Sequence, residues 1–367
     1  MSEREEFVRL AQLDATNMTQ LCERYGISRK TGYKWLDAYT EGGTAGLANR
    51  SKRPHHSPRR TASSVEEAIL ELAAAYPAWG ARKIWKLLES SPLPRPAVST
   101  IQAVLQRNGR VCMGAGKVQG PFKRFEHDSP NDLWQMDFKA DVPYRGGKAQ
   151  VLTVLDDHSR FNICLQACSN QRSESVQNAL QRAFRKYGMP YRMTMDNGSP
   201  WGDSGLTKYT KLTVWMCKLG INATHSRPYH PQTQGKDERF HRTVDAELLQ
   251  HRVFESQDHL QEEFDHWRET YNTIRPHEGI GLKTPIERYR PSERSYPEVL
   301  PVVEYDVGDE VRVVDVKANI SWKGLRLSIG KAFIGERVAI RRTIHEHTFE
   351  IYFATHLLRT FDFPKTK

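Results

Sequence analysis

The chain has 367 residues, room for two to four domains at ~100–200 residues each. Lys and Arg total 54 against 44 Asp and Glu, a net charge of +10 at pH 7, with 38% hydrophobic and 27% charged residues. No stretch approaches the ~18 apolar residues of a membrane span, and the composition excludes a collagen or a disulfide-stapled miniprotein. The opening MSEREEFVRL has no signal- or transit-peptide character. Five scattered cysteines, at positions 22, 112, 164, 168 and 217, fit buried free thiols in a reducing compartment, so a cytoplasmic location is expected. The basic excess makes nucleic acid the expected partner and a membrane none, because Lys and Arg gain by displacing phosphate counterions.

Residues 3–15 set Phe7, Leu10 and Leu13 at helical spacing behind an acidic first turn. Asn17 is expected to cap a short helix that Gly26 stops, and Ser28 to cap the next one. That next helix should bury Tyr33, Trp35 or Leu36, and Tyr39, leaving Arg29, Lys30, Thr31 and Lys34 on its outer N-terminal side. A short helix, a glycine turn and a helix with a basic start form a helix-turn-helix over residues 1–48, whose second helix enters a major groove. Residues 49–61 (NRSKRPHHSPRRT) hold Arg50, Lys52, Arg53, Arg59 and Arg60 with no acid. They read as an extended basic linker, able to follow a DNA backbone or to serve as a plain tether. A second helix-turn-helix is expected at 62–110: a helix capped by Ser63 or Ser64, a second carrying Ile84, Trp85, Leu87 and Leu88, and a third at 99–107. A further linker, 111–126, follows.

From 127 to 290 strands and helices alternate. Strands are expected at 133–139, 149–157 and 161–167, then a helix at 173–187 and a strand at 190–195. A helix at 207–219, a strand at 221–224 and a long helix from about Lys236 complete the run. Three strands, then helix–strand–helix–strand–helix, is the order of a ribonuclease-H-like α/β core with a mixed five-stranded sheet. Asp137 stands mid-strand, where an unpaired charge is costly. Asp196 lies at a strand exit and Glu238 on the flanking helix. Carboxylates on those three elements can converge as hard oxygen ligands for divalent cations.

LWQMDFK, MTMDNGSP, RPYHPQTQGKDERFHRT and YNTIRPHEGIGLKTPIERY resemble the core motifs of bacterial insertion-sequence transposases with a retroviral-integrase-type catalytic domain. The resemblance implies that Asp137, Asp196 and Glu238 are a D-D-E triad that is both catalytic and metal-binding, holding two Mg²⁺ ions that Mn²⁺ can replace. It implies a DDE transposase that binds terminal inverted repeats, cleaves DNA to free 3′ ends and transfers them into target DNA. Partners are then the repeats, target DNA and further copies of the chain, at least a dimer, in a nucleoid-associated bacterial setting. Lys236, Arg239 and Arg242 stand near the DNA end. Members of the family often carry a basic residue two turns after the glutamate, where this chain has Asp245. Asp156 and Asp157 read as hairpin acids, and Asp237 should point away from Glu238. His225 and His230 have no nearby cysteine partners for zinc.

Residues 255–275 form another helix, and Arg275-Pro276-His277 should cross the surface. Beyond Pro301 short alternating strands with glycine turns read as a small β-barrel, placed at 300–367. The rival from another class is a helix-turn-helix regulator with an inert ribonuclease-H-like core, which the presence of all three carboxylates disfavours. A hybrid nuclease of the same fold is disfavoured by tandem helix-turn-helix modules, which read B-form grooves.

Overall fold

A computed structural model describes residues 2–14, 16–49, 60–110, 126–202, 208–225, 235–345 and 347–362. The chain divides into two units, Met1–Arg60 and Thr61–Lys367. In the first, α1 (Glu3–Ala11), α2 (Met18–Arg24) and α3 (Arg29–Gly46) gather around Phe7, Val8, Leu21, Cys22 and Leu47. The expected caps form: Asn17 accepts from the amides of Thr19 and Gln20, and Ser28 accepts from that of Thr31. Gly26 adopts φ 62°, the left-handed conformation that ends α2. Tyr33 departs from expectation. It is 47% exposed, because the buried face of α3 centres on Gly32 instead. A Cβ there would meet Cys22 Sγ at 2.7 Å and Phe7 Cζ at 2.9 Å, so only glycine lets α3 press this close.

The second unit opens with α4 (Ser63–Ala75), α5 (Ala81–Leu87) and α6 (Val98–Arg107), packed around Ile69, Ile84, Ile101, Val104 and Leu105. Neither expected serine caps α4; Ala62 occupies the cap without a side-chain bond. Next come β1 (Leu133–Tyr144), β2 (Gly147–Asp156), β3 (Asn162–Cys168), α7 (Ser173–Tyr187) and β4 (Arg192–Met195). The core is completed by α8 (Lys211–Lys218), β5 (Asn222–His225), α9 (Gly235–Glu247) and α10 (Gln257–Thr273). The sheet order is β3-β2-β1-β4-β5. β1–β2 and β2–β3 are antiparallel, whereas β1–β4 and β4–β5 are parallel. This is the mixed α/β sheet expected of a ribonuclease-H-like core.

Strand alternation sorts the two faces. Trp134, Met136, Leu152 and Val154 pack against α7 and α8. Val151, Leu155, Leu165 and Ala167 pack against Phe240 and Val244 of α9 and Leu260 and Phe264 of α10. Asp137 has the second parity, so it lies on the α9 side of the sheet. Cys22, Cys164, Cys168 and Cys217 are buried free thiols; Cys112 lies outside the described residues. No helix among the described residues is long and apolar enough to cross a membrane.

Two expectations need correction. Arg275 and His277 do not cross the surface but are buried, at 8% and 9% exposure. Among the described residues the C-terminal strands do not close into the expected barrel. The strands there, β6 (Glu310–Val313), β7 (Asn319–Trp322), β8 (Leu325–Ser328), β9 (Arg337–Arg342), β10 (Thr348–Phe353) and β11 (His356–Asp362), form an open four-stranded sheet, β11-β10-β9-β6, and a separate β7–β8 hairpin. A barrel needs its edge strands to pair, and β6 and β11 do not. The apolar face is covered instead by Ile320 and Trp322 of the hairpin, by Phe333, and by Val214 and Cys217 of α8. With that cover supplied, the sheet has no need to close on itself.

Candidate active site

Three elements carry the three carboxylates: the central strand β1, the exit of its neighbour β4, and α9. In β1, Asp137 pairs in register with Thr153 of β2. On its other side β1 runs parallel to β4, with Gln135 opposite Thr194. Carrying that register forward two residues sets Asp196 at the exit of β4 beside Asp137. The third carboxylate, Glu238, lies exposed in the first turn of α9. Asp137 feels both partners. Burial pushes its carboxyl up to about 6, the charges of Asp196 and Glu238 push the same way, and the Phe138 amide, 2.8 Å from Oδ1, pulls against them. Among the described residues, no three or more His, Cys, Asp or Glu side chains stand close enough together to hold an ion.

His241, one turn after Glu238, faces Asp137 across 3.9 Å. Its Nε2 bonds the Thr153 hydroxyl at 3.0 Å. Burial, aided by Lys139, holds it down to about 4, so at neutral pH it is uncharged. Asp245, where the resemblance would place a basic residue, is bonded by Lys139 Nζ at 2.8 Å. The cation at this point of the site therefore comes from β1, two residues after Asp137.

Asp156 takes the hairpin role read for it. Its oxygens accept from the Asn131 amide (2.7 Å) and from the amide and hydroxyl of Ser159 (2.8 and 2.5 Å). Asp157 does more, accepting from Gln135 Nε2 at 2.7 Å, the His127 amide at 2.9 Å and the Lys236 ammonium. Lys236 is thus turned inward, and burial, with Arg160, lowers it to about 8. Arg239 and Arg242 remain exposed on α9. In the N-terminal unit, Arg29, Lys30 and Lys34 are exposed and Thr31 is half-buried at the cap. Arg60 is exposed, whereas Arg50, Lys52, Arg53 and Arg59 lie outside the described residues, as does His230. His225 Nδ1 donates to the Asp196 carbonyl at 2.8 Å.

Asp237 points away from the exposed Glu238, as expected, and into the core. It is 2% exposed, and its buried Oδ1 has no hydrogen-bond partner among the described residues. Burial drives it well above the ordinary carboxylate range, and the charges of Asp137 and Asp157 add to that. The signal lay in the sequence: positions 237, 240 and 244 follow the i, i+3, i+7 pattern of a buried face, shared with Phe240 and Val244. Trp201, which donates to Asp196 Oδ1, left no comparable trace.

Integrase core domain models match residues 127–231 and 219–285. The model for the C-terminal domain of IS481 family transposases matches 309–367. A helix-turn-helix domain model matches 3–55, and a homeodomain-like model 31–105. Over these residues the chain is similar to integrase core domains and to bacterial insertion-sequence transposases. The uncharacterized 39.2 kDa protein of insertion element IS476 from Xanthomonas euvesicatoria is 24% identical over 66% of this chain and 69% of its own length. The uncharacterized 31.7 kDa protein of IS407 from Burkholderia multivorans is 26% identical over 43% of this chain and 55% of its own. The Gag-Pol polyprotein of baboon endogenous virus is 25% identical over 49% of this chain, which spans only 10% of that polyprotein. In this transposase-like chain the matched core contains Asp137, Asp196 and Glu238.

Proposed function

We propose that the chain is a DDE transposase: it binds the terminal inverted repeats of its element, cleaves there to free 3′-hydroxyl ends and joins those ends to target DNA. The observation that carries this reading is the placement of the three acids within the integrase-core match: Asp137 in β1, Asp196 at the exit of its parallel neighbour β4, and Glu238 in the first turn of α9. The charges of Asp196 and Glu238 bear on Asp137, and a cation held among them would relieve that repulsion. The donor set consists of hard oxygens, which fits Mg²⁺ or Mn²⁺, and the reading requires the three side chains to close up on the ions. Bound there, two such ions would activate a water or a 3′-hydroxyl and stabilise the departing oxygen of a phosphodiester.

The remaining work falls to the chain's own residues. Asp137, Asp196 and Glu238 hold the ions. Arg239 and Arg242, exposed beside Glu238, meet phosphates of the DNA end. Arg29, Lys30, Thr31 and Lys34, at the start of α3, face a major groove. The linker cations Arg50, Lys52, Arg53, Arg59 and Arg60 follow the backbone. No serine or tyrosine nucleophile is required, since each step is a direct displacement at phosphorus. Joining two ends calls for at least two copies of the chain.

The test is Mg²⁺-dependent cleavage of duplexes carrying the ends of the encoding element. Asp137→Asn, Asp196→Asn and Glu238→Gln should each abolish cleavage while the protein still binds the duplex. Undiminished cleavage by all three would falsify the assignment.

A further inference from the structure

We infer that Trp201 is a positioning residue for the Asp196 carboxylate, an inference that rests on the proposed ion-holding role of Asp196. Between β4 and α8 the chain makes a tight turn. The Gly202 amide donates to the Gly198 carbonyl at 2.7 Å, and a Cβ on Gly202 would lie 2.1 Å from the Asn197 carbonyl oxygen. Only glycine permits this closure, and the closure brings Trp201 back against the residue that opened the turn. Trp201 is 1% exposed. Its indole N–H donates to Asp196 Oδ1, and the Gly198 amide donates to the same oxygen at 3.0 Å. With Oδ1 taken twice, Oδ2 is the oxygen left for an ion.

The ring does a second job. It stacks on Phe138 with centroids 5.1 Å apart and planes 12° from parallel. The Phe138 amide in turn holds Asp137 Oδ1 at 2.8 Å. One aromatic pair therefore ties together the backbone segments that present two of the three carboxylates.

Burial alone does not explain the indole bond. Trp215 is packed in the same core, yet among the described residues its indole N–H has no hydrogen-bond partner. A phenylalanine at 201 would keep an aromatic face on Phe138, with a smaller ring and no N–H. What tryptophan adds is a donor to a charged oxygen, the stronger class of hydrogen bond. Groups that orient a ligand in this way commonly change metal affinity by about 10–100-fold when removed.

The test uses the full-length chain and Mn²⁺, followed by the loss of its free-ion paramagnetic resonance signal. Trp201→Phe should weaken Mn²⁺ binding about tenfold or more, measured at a temperature where the ion-free variant, destabilised by the smaller ring, is still fully folded. In an Asp196→Asn background the same change should add nothing, since Trp201 acts through that carboxylate. In the ¹⁵N spectrum of the eight indoles, Asp196→Asn should shift one resonance strongly, the one missing from Trp201→Phe. Unchanged Mn²⁺ affinity in Trp201→Phe, additive losses in the double variant, or an unmoved indole spectrum would each overturn the inference. Wild-type protein that binds no more Mn²⁺ than a chain lacking all three carboxylates would overturn the parent reading, and this inference with it.

Discussion

Arg275 and His277 enter the interior under strict conditions. Arg275 Nε bonds Glu247 Oε1 at 2.8 Å, with side-chain exposures of only 9% and 8%. Removing one partner of such a pair leaves an uncompensated buried charge, at a cost of ~3–5 kcal/mol. Arg275→Met should therefore lower the thermal midpoint sharply, and Arg275→Met combined with Glu247→Leu should recover much of the loss; calorimetry on the two variants decides. The ring of His277 lies 3.3–3.4 Å from Arg275 Nη1. A guanidinium can only donate, so the imidazole must be neutral. Burial, reinforced by Arg275, holds its affinity for protons well below the ordinary histidine value. The sign follows from linkage. Below about pH 6.5 the unfolded chain protonates this histidine and the folded chain does not, so stability falls as the solution is acidified. His277→Gln should flatten the stability–pH curve between about pH 6.5 and 5, read from denaturant midpoints at each pH. The motif reads as a surface crossing because Arg, Pro and His are individually surface residues. Its burial depends on Glu247, 28 residues away in sequence, which only the tertiary fold brings near.

At the scale of elements, α9 shows what was legible and what was not. Its start near Lys236 and the place of Glu238 on its first turn could be read from the sequence. So could the positions of Asp137 mid-strand and Asp196 at a strand exit, because periodicity and turn residues are local signals. The direction of Lys236 could not, because its partner Asp157 lies in a distant hairpin. That pair pins the first turn of α9 to the end of β2, with exposures of 19% and 3%. In Lys236→Met, Asp157 keeps the Gln135 and His127 donors. The loss should therefore fall at or below the low end of the ~3–5 kcal/mol range for breaking buried pairs, and amide exchange over 235–240 should quicken ahead of the rest of the core. Unchanged exchange there would show that α9 is held by its apolar face alone. The Asn17 cap was legible for the opposite reason, since it bonds amides two and three residues away. Asn17→Ala should cost ~1 kcal/mol. Tyr33 was misread because helical spacing alone does not say that Gly32, rather than a large side chain, would mark the line of closest approach.

Across the molecule, the same limit governs the C-terminal sheet: alternation announces strands, but whether they close depends on what else covers their apolar face. The two units also differ in means. The first gathers five buried hydrophobic residues, and a segment of about 60 residues is marginal by surface-to-volume scaling. Heating should give a lower transition belonging to Met1–Arg60, and Asn17→Ala should move that transition and leave the other in place. Charge is the other whole-molecule property. A protein with net charge +10 binds DNA largely by releasing counterions, so log K falls linearly with log salt, with a slope of about −0.9 per neutralised phosphate on a duplex. Arg29, Lys30 and Lys34 are exposed together at the start of α3. If all three meet phosphates, replacing them with glutamine should flatten the slope by about 2.7 on duplexes of any sequence. If some of them read base edges, the slope should change less, and the loss should concentrate on the element's own ends. Titrating the triple variant and the parent against end and scrambled duplexes over a salt series separates the two outcomes. An unchanged slope with unchanged affinity on both duplexes would remove α3 from the interface.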